Sequence, residues 1–132
     1  IEIAIDPNNF KIKGSNNLPT NAQIEKIKEQ ESILKGKLPR NVRGVVSLLR
    51  PPKHASILAQ LDREHRKRTG KVLFTDWFGR TDDETFPGGR VAAVGRVMDP
   101  SDRLVVRDWH RDNGDSSVFA VSAVVLPQKS DI

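Results

Sequence analysis

Two eight-residue segments of this chain align without a gap: Lys71-Val72-Leu73-Phe74-Thr75-Asp76-Trp77-Phe78 and Arg103-Leu104-Val105-Val106-Arg107-Asp108-Trp109-His110. Each runs from a basic residue through three apolar ones and a polar one to Asp-Trp, and both tryptophans of the protein lie in that frame. Branched and aromatic residues in succession between turn formers favour extended chain. A chain that carries the pattern twice is therefore expected to build a sheet from two similar strands. The copies differ most at their ends, with Phe78 in one and His110 in the other.

The surrounding sequence fits that expectation. Four apolar runs, 71–78, 90–97, 103–110 and 117–126, are separated by Pro87-Gly88-Gly89, Asp99-Pro100-Ser101-Asp102 and Asp112-Asn113-Gly114-Asp115. These are turn-forming clusters, and short connections favour antiparallel neighbours. Upstream, Thr20 and Gln23 have capping-box spacing, Ile24, Ile27 and Leu34 share a helical stripe that Glu31 interrupts, and Gly36 is a stop. After Pro51-Pro52, a second helix is expected over about 53–69, with Ile57, Leu58 and Leu61 inward and Gly70 ending it. The short apolar run 45–49 is ambiguous between a turn of helix and a strand. Residues 1–19 alternate Ile1, Ile3 and Ile5 with other residues and then turn to Asn, Gly and Pro, so they read as a lead-in or linker.

The fold class predicted is α+β, with two or three N-terminal helices packed on one face of a four-stranded antiparallel β-meander. A chain of 132 residues is long enough for one such core. The domain is expected to span 20–132, with helices within about 20–69 and the sheet within about 71–126.

Several function classes are disfavoured by composition. With no cysteine there is neither a disulfide framework nor a thiolate nucleophile, and three scattered histidines give no metal-ligand spacing. No metal and no cofactor are expected. No apolar run is long enough to span a bilayer, and no segment reads as a signal peptide, so no membrane partner is expected. The charge is segregated: from Lys37 to Lys71 ten basic residues stand against Asp62 and Glu64, a local +8 in a chain of net charge +5. Such a block is the footprint of a phosphate-binding surface, with RNA as the expected partner. It is equally the composition of a solvated face, and Arg66-Lys67-Arg68 also complement the dipole at the end of the second helix.

Phosphate-binding glycine loops, nucleophile elbows and helical His-Glu-x-x-His patterns are absent. What remains is a set of His, Arg, Lys and Asp suited to proton transfer and anion stabilisation. RNA cleavage needs no more than that, because the 2′-hydroxyl nucleophile is already on the substrate. His110 is the leading candidate: imidazole changes charge near neutral pH, and Asp108 lies two residues back on the same strand face. His54, in the basic block, is a second acid or base if its loop reaches the sheet, whereas His65 continues an apolar stripe and is left out. The candidate nucleic-acid contacts are Lys53, Arg63, Arg66, Lys67, Arg68, Lys71, Arg90, Arg96, Arg107 and Arg111. A non-catalytic nucleic-acid-binding module using the 37–71 block is the alternative.

Ser101-Asp102-Arg103-Leu104 followed by Asp108-Trp109 resembles a strand of the barnase family that begins Ser-Asp-Arg-aliphatic and reaches Asp-Trp. Helices followed by an antiparallel sheet is also the order found in the wider barnase, EndoU, colicin and RelE group of ribonucleases. The resemblance implies that Arg103 contacts the scissile phosphate. It further implies a toxin domain of a bacterial competition or toxin–antitoxin system. Such a domain acts in the cytoplasm, is delivered as part of a larger secreted protein, and is countered by an acidic immunity or antitoxin protein.

Overall fold

A computed structural model describes residues 2–42, 47–48, 54–86, 89–97 and 103–126. The element order is β1 (Glu2–Ala4), α1 (Thr20–Lys37), a 3-10 turn (Arg40–Val42), β2 (Ser47–Leu48), α2 (Ala55–Thr69), β3 (Phe78–Phe86), β4 (Arg90–Gly95), β5 (Val105–His110), β6 (Val118–Phe119) and β7 (Val124–Leu126). Among the described residues there are two α-helices, neither long and apolar enough to cross a membrane.

The two helices end as their chemistry dictates. Gly70 adopts the left-handed conformation that glycine takes without strain, and its N–H bonds the Arg66 carbonyl at 2.8 Å, closing α2. Helix α1 lacks the expected capping box. Pro19 is its N-cap, and Gln23 instead donates to the carbonyls of Ser15 (2.9 Å) and Val118 (3.1 Å). Its inward face is Thr20, Gln23, Ile27 and Glu31, so the glutamate that breaks the apolar stripe is on the buried side, paired with Lys35 at 3.0 Å.

The β-meander is not what forms. Strands β3, β4 and β5 are antiparallel neighbours, but β6 joins the far edge beside β3 and runs parallel to it, in the order β5-β4-β3-β6. The run expected as one last strand is divided. After β6, Val121 bridges to Lys11, Ile12 N–H bonds the Ala120 carbonyl at 3.1 Å, and β7 pairs with β1 and β2 in a separate three-stranded sheet. The backbone of residues 10–12 offers these partners, and Phe10 and Ile12 bring apolar surface with them. The segment read as a lead-in thus supplies strand β1 and a core residue, Phe10, at 1% exposure.

Nor are the two Asp-Trp segments structurally equivalent. The second is strand β5, whereas residues 71–77 are loop and the strand begins only at Phe78. The reason lies in backbone shape. Asp76 (φ 55°) and Arg96 (φ 50°) take left-handed conformations, joined by an ion pair of 3.2 Å, and Gly95 (φ 151°) lies so close to the Trp77 carbonyl that a Cβ would sit 2.1 Å from it. This turn drives Leu73, Phe74 and Trp77 into the main core with Phe10, Leu58, Val94 and Val121. Phe10, Phe74 and Trp77 meet there as tilted and edge-on rings, with centroids 4.9 to 5.8 Å apart.

The helices do not share one face of the sheet. Gly79 and Val94, register partners, lie under α2, while Phe78 and Arg80 point the other way, where Arg80 reaches the start of α1. Close packing beneath α2 depends on Gly79. A Cβ there would stand 2.8 Å from Phe74 Cε1, 2.9 Å from Val121 Cγ1 and 3.1 Å from Leu58 Cδ1. Gly79→Ala is expected to cost about 1–3 kcal/mol through overpacking, read as a lowered urea midpoint at unchanged slope.

Candidate active site

Strand β5 carries the site because its register with β4 sorts its side chains. Arg90 is the cross-strand partner of His110, and Ala92 that of Asp108, so His110, Arg90 and Asp108 share the face on which α2 packs. Trp109, one residue along, points to the other face and packs edge-on against Phe78 at 5.0 Å. Its ring holds this end of β5 against the sheet.

Arg90 turns along the face towards Asp108. Its Nε donates to Asp108 Oδ2 at 3.0 Å and its Nη2 to Oδ1 at 3.1 Å and to the Asp108 carbonyl at 3.3 Å. Thr85 Oγ1 adds a bond to Oδ2 at 3.1 Å. These bonds, that from Arg90 above all, hold the Asp108 carboxyl below the usual carboxylate range, and the same pairing raises the guanidinium. Asp108 is therefore a fixed anion tied to Arg90, in place of the expected partner of the imidazole.

The partner of His110 is Asp112. The Asp112 N–H donates to His110 Nδ1 at 3.2 Å, and the Asp112 carboxylate lies 3.7 Å from the same nitrogen. A nitrogen that accepts this bond holds no proton, so the neutral ring carries its proton on Nε2. A protonated ring at this position stands within ion-pair distance of the Asp112 carboxylate. Nε2 is a donor in either state. It lies above Gly89, where a Cβ would be 3.6 Å away, and the ring is 40% exposed.

His54 is the N-cap residue of α2 and is exposed. The neighbouring Ala55 N–H donates to Asp83 Oδ2 of β3 at 3.2 Å, which fixes the start of α2 against the same face. Strands β3 and β5 are two spacings apart, roughly 10 Å. The structure thus brings Arg90, Asp108 and His110 together and sets His54 across the same face from them.

Arg103 is not part of this group. It precedes β5, while His110 ends it, and seven residues of extended chain separate the two by about 20 Å. Arg107 is exposed on the Trp109 face, Arg96 is paired with Asp76, and Arg111 Nη2 is paired with Asp82. On α2, Arg66 bonds Asp62 at 2.6 Å, Lys67 lies 4.0 Å from Glu64, and Arg63 and Arg68 are exposed, as is Lys71 beyond the helix. This basic end lies on the order of 20 Å from His54, the length of the helix. Lys53 lies outside the described residues.

Three participants were not legible as such. Asp112 stands in a cluster that reads only as turn chemistry, and Asp83 and Thr85 carry no motif. One signal for Asp112 was present, its spacing of two from His110, which lets a turn backbone meet the imidazole. Comparison with known proteins adds no assignment: no family model, no curated protein and no solved structure matches this chain.

Proposed function

We propose that this chain is a small endoribonuclease that cleaves RNA by attack of the 2′-hydroxyl on the adjacent phosphorus. The observation that carries the reading is the His110 imidazole. The Asp112 N–H bonds Nδ1, its carboxylate stands within ion-pair distance of the same nitrogen, and Nε2 is left as the donor, on the cross-strand partner of Arg90. In the proposed reaction the 2′-oxygen bonds to phosphorus and the bond from phosphorus to the 5′-oxygen breaks, giving a 2′,3′-cyclic phosphate and a free 5′-hydroxyl. His110 Nε2 gives its proton to the departing 5′-oxygen, and His54 takes the proton of the 2′-hydroxyl. Arg90, whose Nε and Nη2 are held by Asp108, offers the hydrogens of its Nη1 to the oxygens of the developing phosphorane. The exposed cations Arg63, Lys67, Arg68, Lys71 and Arg107 attract the backbone of the remaining strand.

Arg103, at the far end of β5, serves in this reading as a phosphate contact for flanking nucleotides. The biological setting proposed is a toxin domain countered by an acidic immunity protein, supported by the resemblance around Arg103 and by the net charge of +5. Incubation of the purified protein with transfer RNA and total RNA in EDTA tests the activity. Products ending in 2′,3′-cyclic phosphate are expected. Strongly salt-dependent retention of RNA without any product would instead favour a nucleic-acid-binding module.

A further inference from the structure

Among the described residues strand β5 is the edge of its sheet, and its outer side is closed at one end and open at the other. The Arg111 N–H bonds the Gly89 carbonyl at 2.7 Å, which fixes the ladder phase: Val105, Arg107 and Trp109 point their backbone groups at β4, and Val106, Asp108 and His110 point theirs outward. The outward carbonyls of the last two are occupied. Arg90 Nη2 covers that of Asp108 at 3.3 Å, and the Asn113 N–H bonds that of His110 at 3.0 Å. No such cover stands at Val106 among the described residues. Its side chain is 58% exposed, and Val105 beside it is 36% exposed.

Natural sheets guard such edges with charge, bulges or cover, and an unguarded apolar stretch is a template for another strand. Charge selects between occupants. Arg103 and Arg107 flank the open stretch, both exposed and neither bonded to a carboxylate among the described residues, while Asp108 is neutralised by Arg90. A second copy of this chain would bring four arginines into one seam between two molecules of net charge +5. An acidic strand meets the same seam with attraction.

We infer that β5 docks an extended segment of a partner protein, in which acidic residues flank an aliphatic one, by adding it as a further strand centred on Val106. The inference does not depend on nuclease activity, since the edge is open among the described residues whatever His110 does.

Val106→Pro is the matched test. Proline is tolerated at an edge position whose N–H faces outward, yet it deletes the donor on which the added strand pairs. The probe is a short peptide alternating Glu and Val, with its Lys-for-Glu counterpart as control, followed by amide NMR of the intact chain. The acidic peptide is expected to slow amide exchange at Val106. Its affinity is expected to fall by about tenfold or more in Val106→Pro, the equivalent of one lost backbone pairing, and similarly in Arg103→Glu/Arg107→Glu, both variants keeping the wild-type urea midpoint. Binding of the acidic peptide unchanged in Val106→Pro would overturn the inference, as would equal binding of the lysine peptide. Concentration-dependent protection of Val106 without peptide, lost in Val106→Pro, would assign the edge to a second copy instead.

Discussion

Arg80→Ala is expected to lower the free energy of unfolding by about 3–5 kcal/mol, the range for truncating a large buried side chain together with its charge-assisted hydrogen bonds. Arg80 is 1% exposed, and no carboxylate bonds it among the described residues. Its Nη1 donates to the Leu18 carbonyl and to Thr20 Oγ1, both at 3.2 Å, and its Nη2 to the Asn113 carbonyl. Burial, with the nearby Arg111 adding to it, pushes the guanidinium down to about 10, so it remains charged at neutral pH. Three oxygens from two separated stretches of chain therefore offset the cost of desolvating one cation. That forked set of donors ties the start of α1 and the 111–117 crossover to β3.

Truncation to alanine removes the donors, leaves the buried Thr20 hydroxyl and the half-buried Leu18 and Asn113 carbonyls without them, and opens space between Thr20, Gln23 and Ala120. Arg80→Lys keeps the charge, but a single ammonium cannot reproduce the fork, so a loss of about 2 kcal/mol is expected. Urea unfolding of the three proteins at equal slope measures both. A change below about 1 kcal/mol for Arg80→Ala would show that the crossover holds its place without the arginine.

The same arginine shows where sequence reasoning stopped. Helix α2 was legible because its signals are local: an apolar stripe, a cationic last turn and a terminal glycine. Strands β4 and β5 were legible for the same reason. Strand β3 was not, because Thr81, Asp82, Asp83 and Glu84 have the composition of a loop. They extend since β4 supplies a ladder and their side chains find work: Thr81 Oγ1 bonds the Ala92 carbonyl at 2.7 Å and Asp83 receives α2. Tertiary context overrode propensity in both directions, since the strand-like residues Leu73 and Phe74 are loop. The parallel placement of β6 is equally non-local, resting on Phe78 N–H bonding the Ser117 carbonyl at 2.7 Å and on Arg80. Of the site, the placement of Arg90 on a strand beside that of His110 followed from the short connection, whereas their register and the capture of Asp108 by Arg90 did not, since alternation alone leaves register open.

His110→Ala is expected to reduce RNA cleavage by about 10²–10⁴-fold, the usual contribution of a positioned acid or base. Because the ring is 40% exposed and only Asp112 is bonded to it among the described residues, the urea midpoint should stay near that of the parent chain. Asp108→Asn separates roles. It loosens the anchor of Arg90 without touching Asp112, so it should lower turnover by less than His110→Ala does, while RNA retention holds or rises because a carboxylate beside Arg90 is lost. Asp112→Ala keeps the backbone N–H that bonds Nδ1 and deletes the carboxylate that receives the protonated ring. An acid role for His110 therefore predicts that Asp112→Ala lowers turnover without lowering RNA retention, since the protonated imidazole loses the carboxylate that stands within ion-pair distance of Nδ1. Turnover unmoved by that substitution, together with full cleavage by His110→Ala, would remove His110 from the chemistry and place the cleavage on other residues.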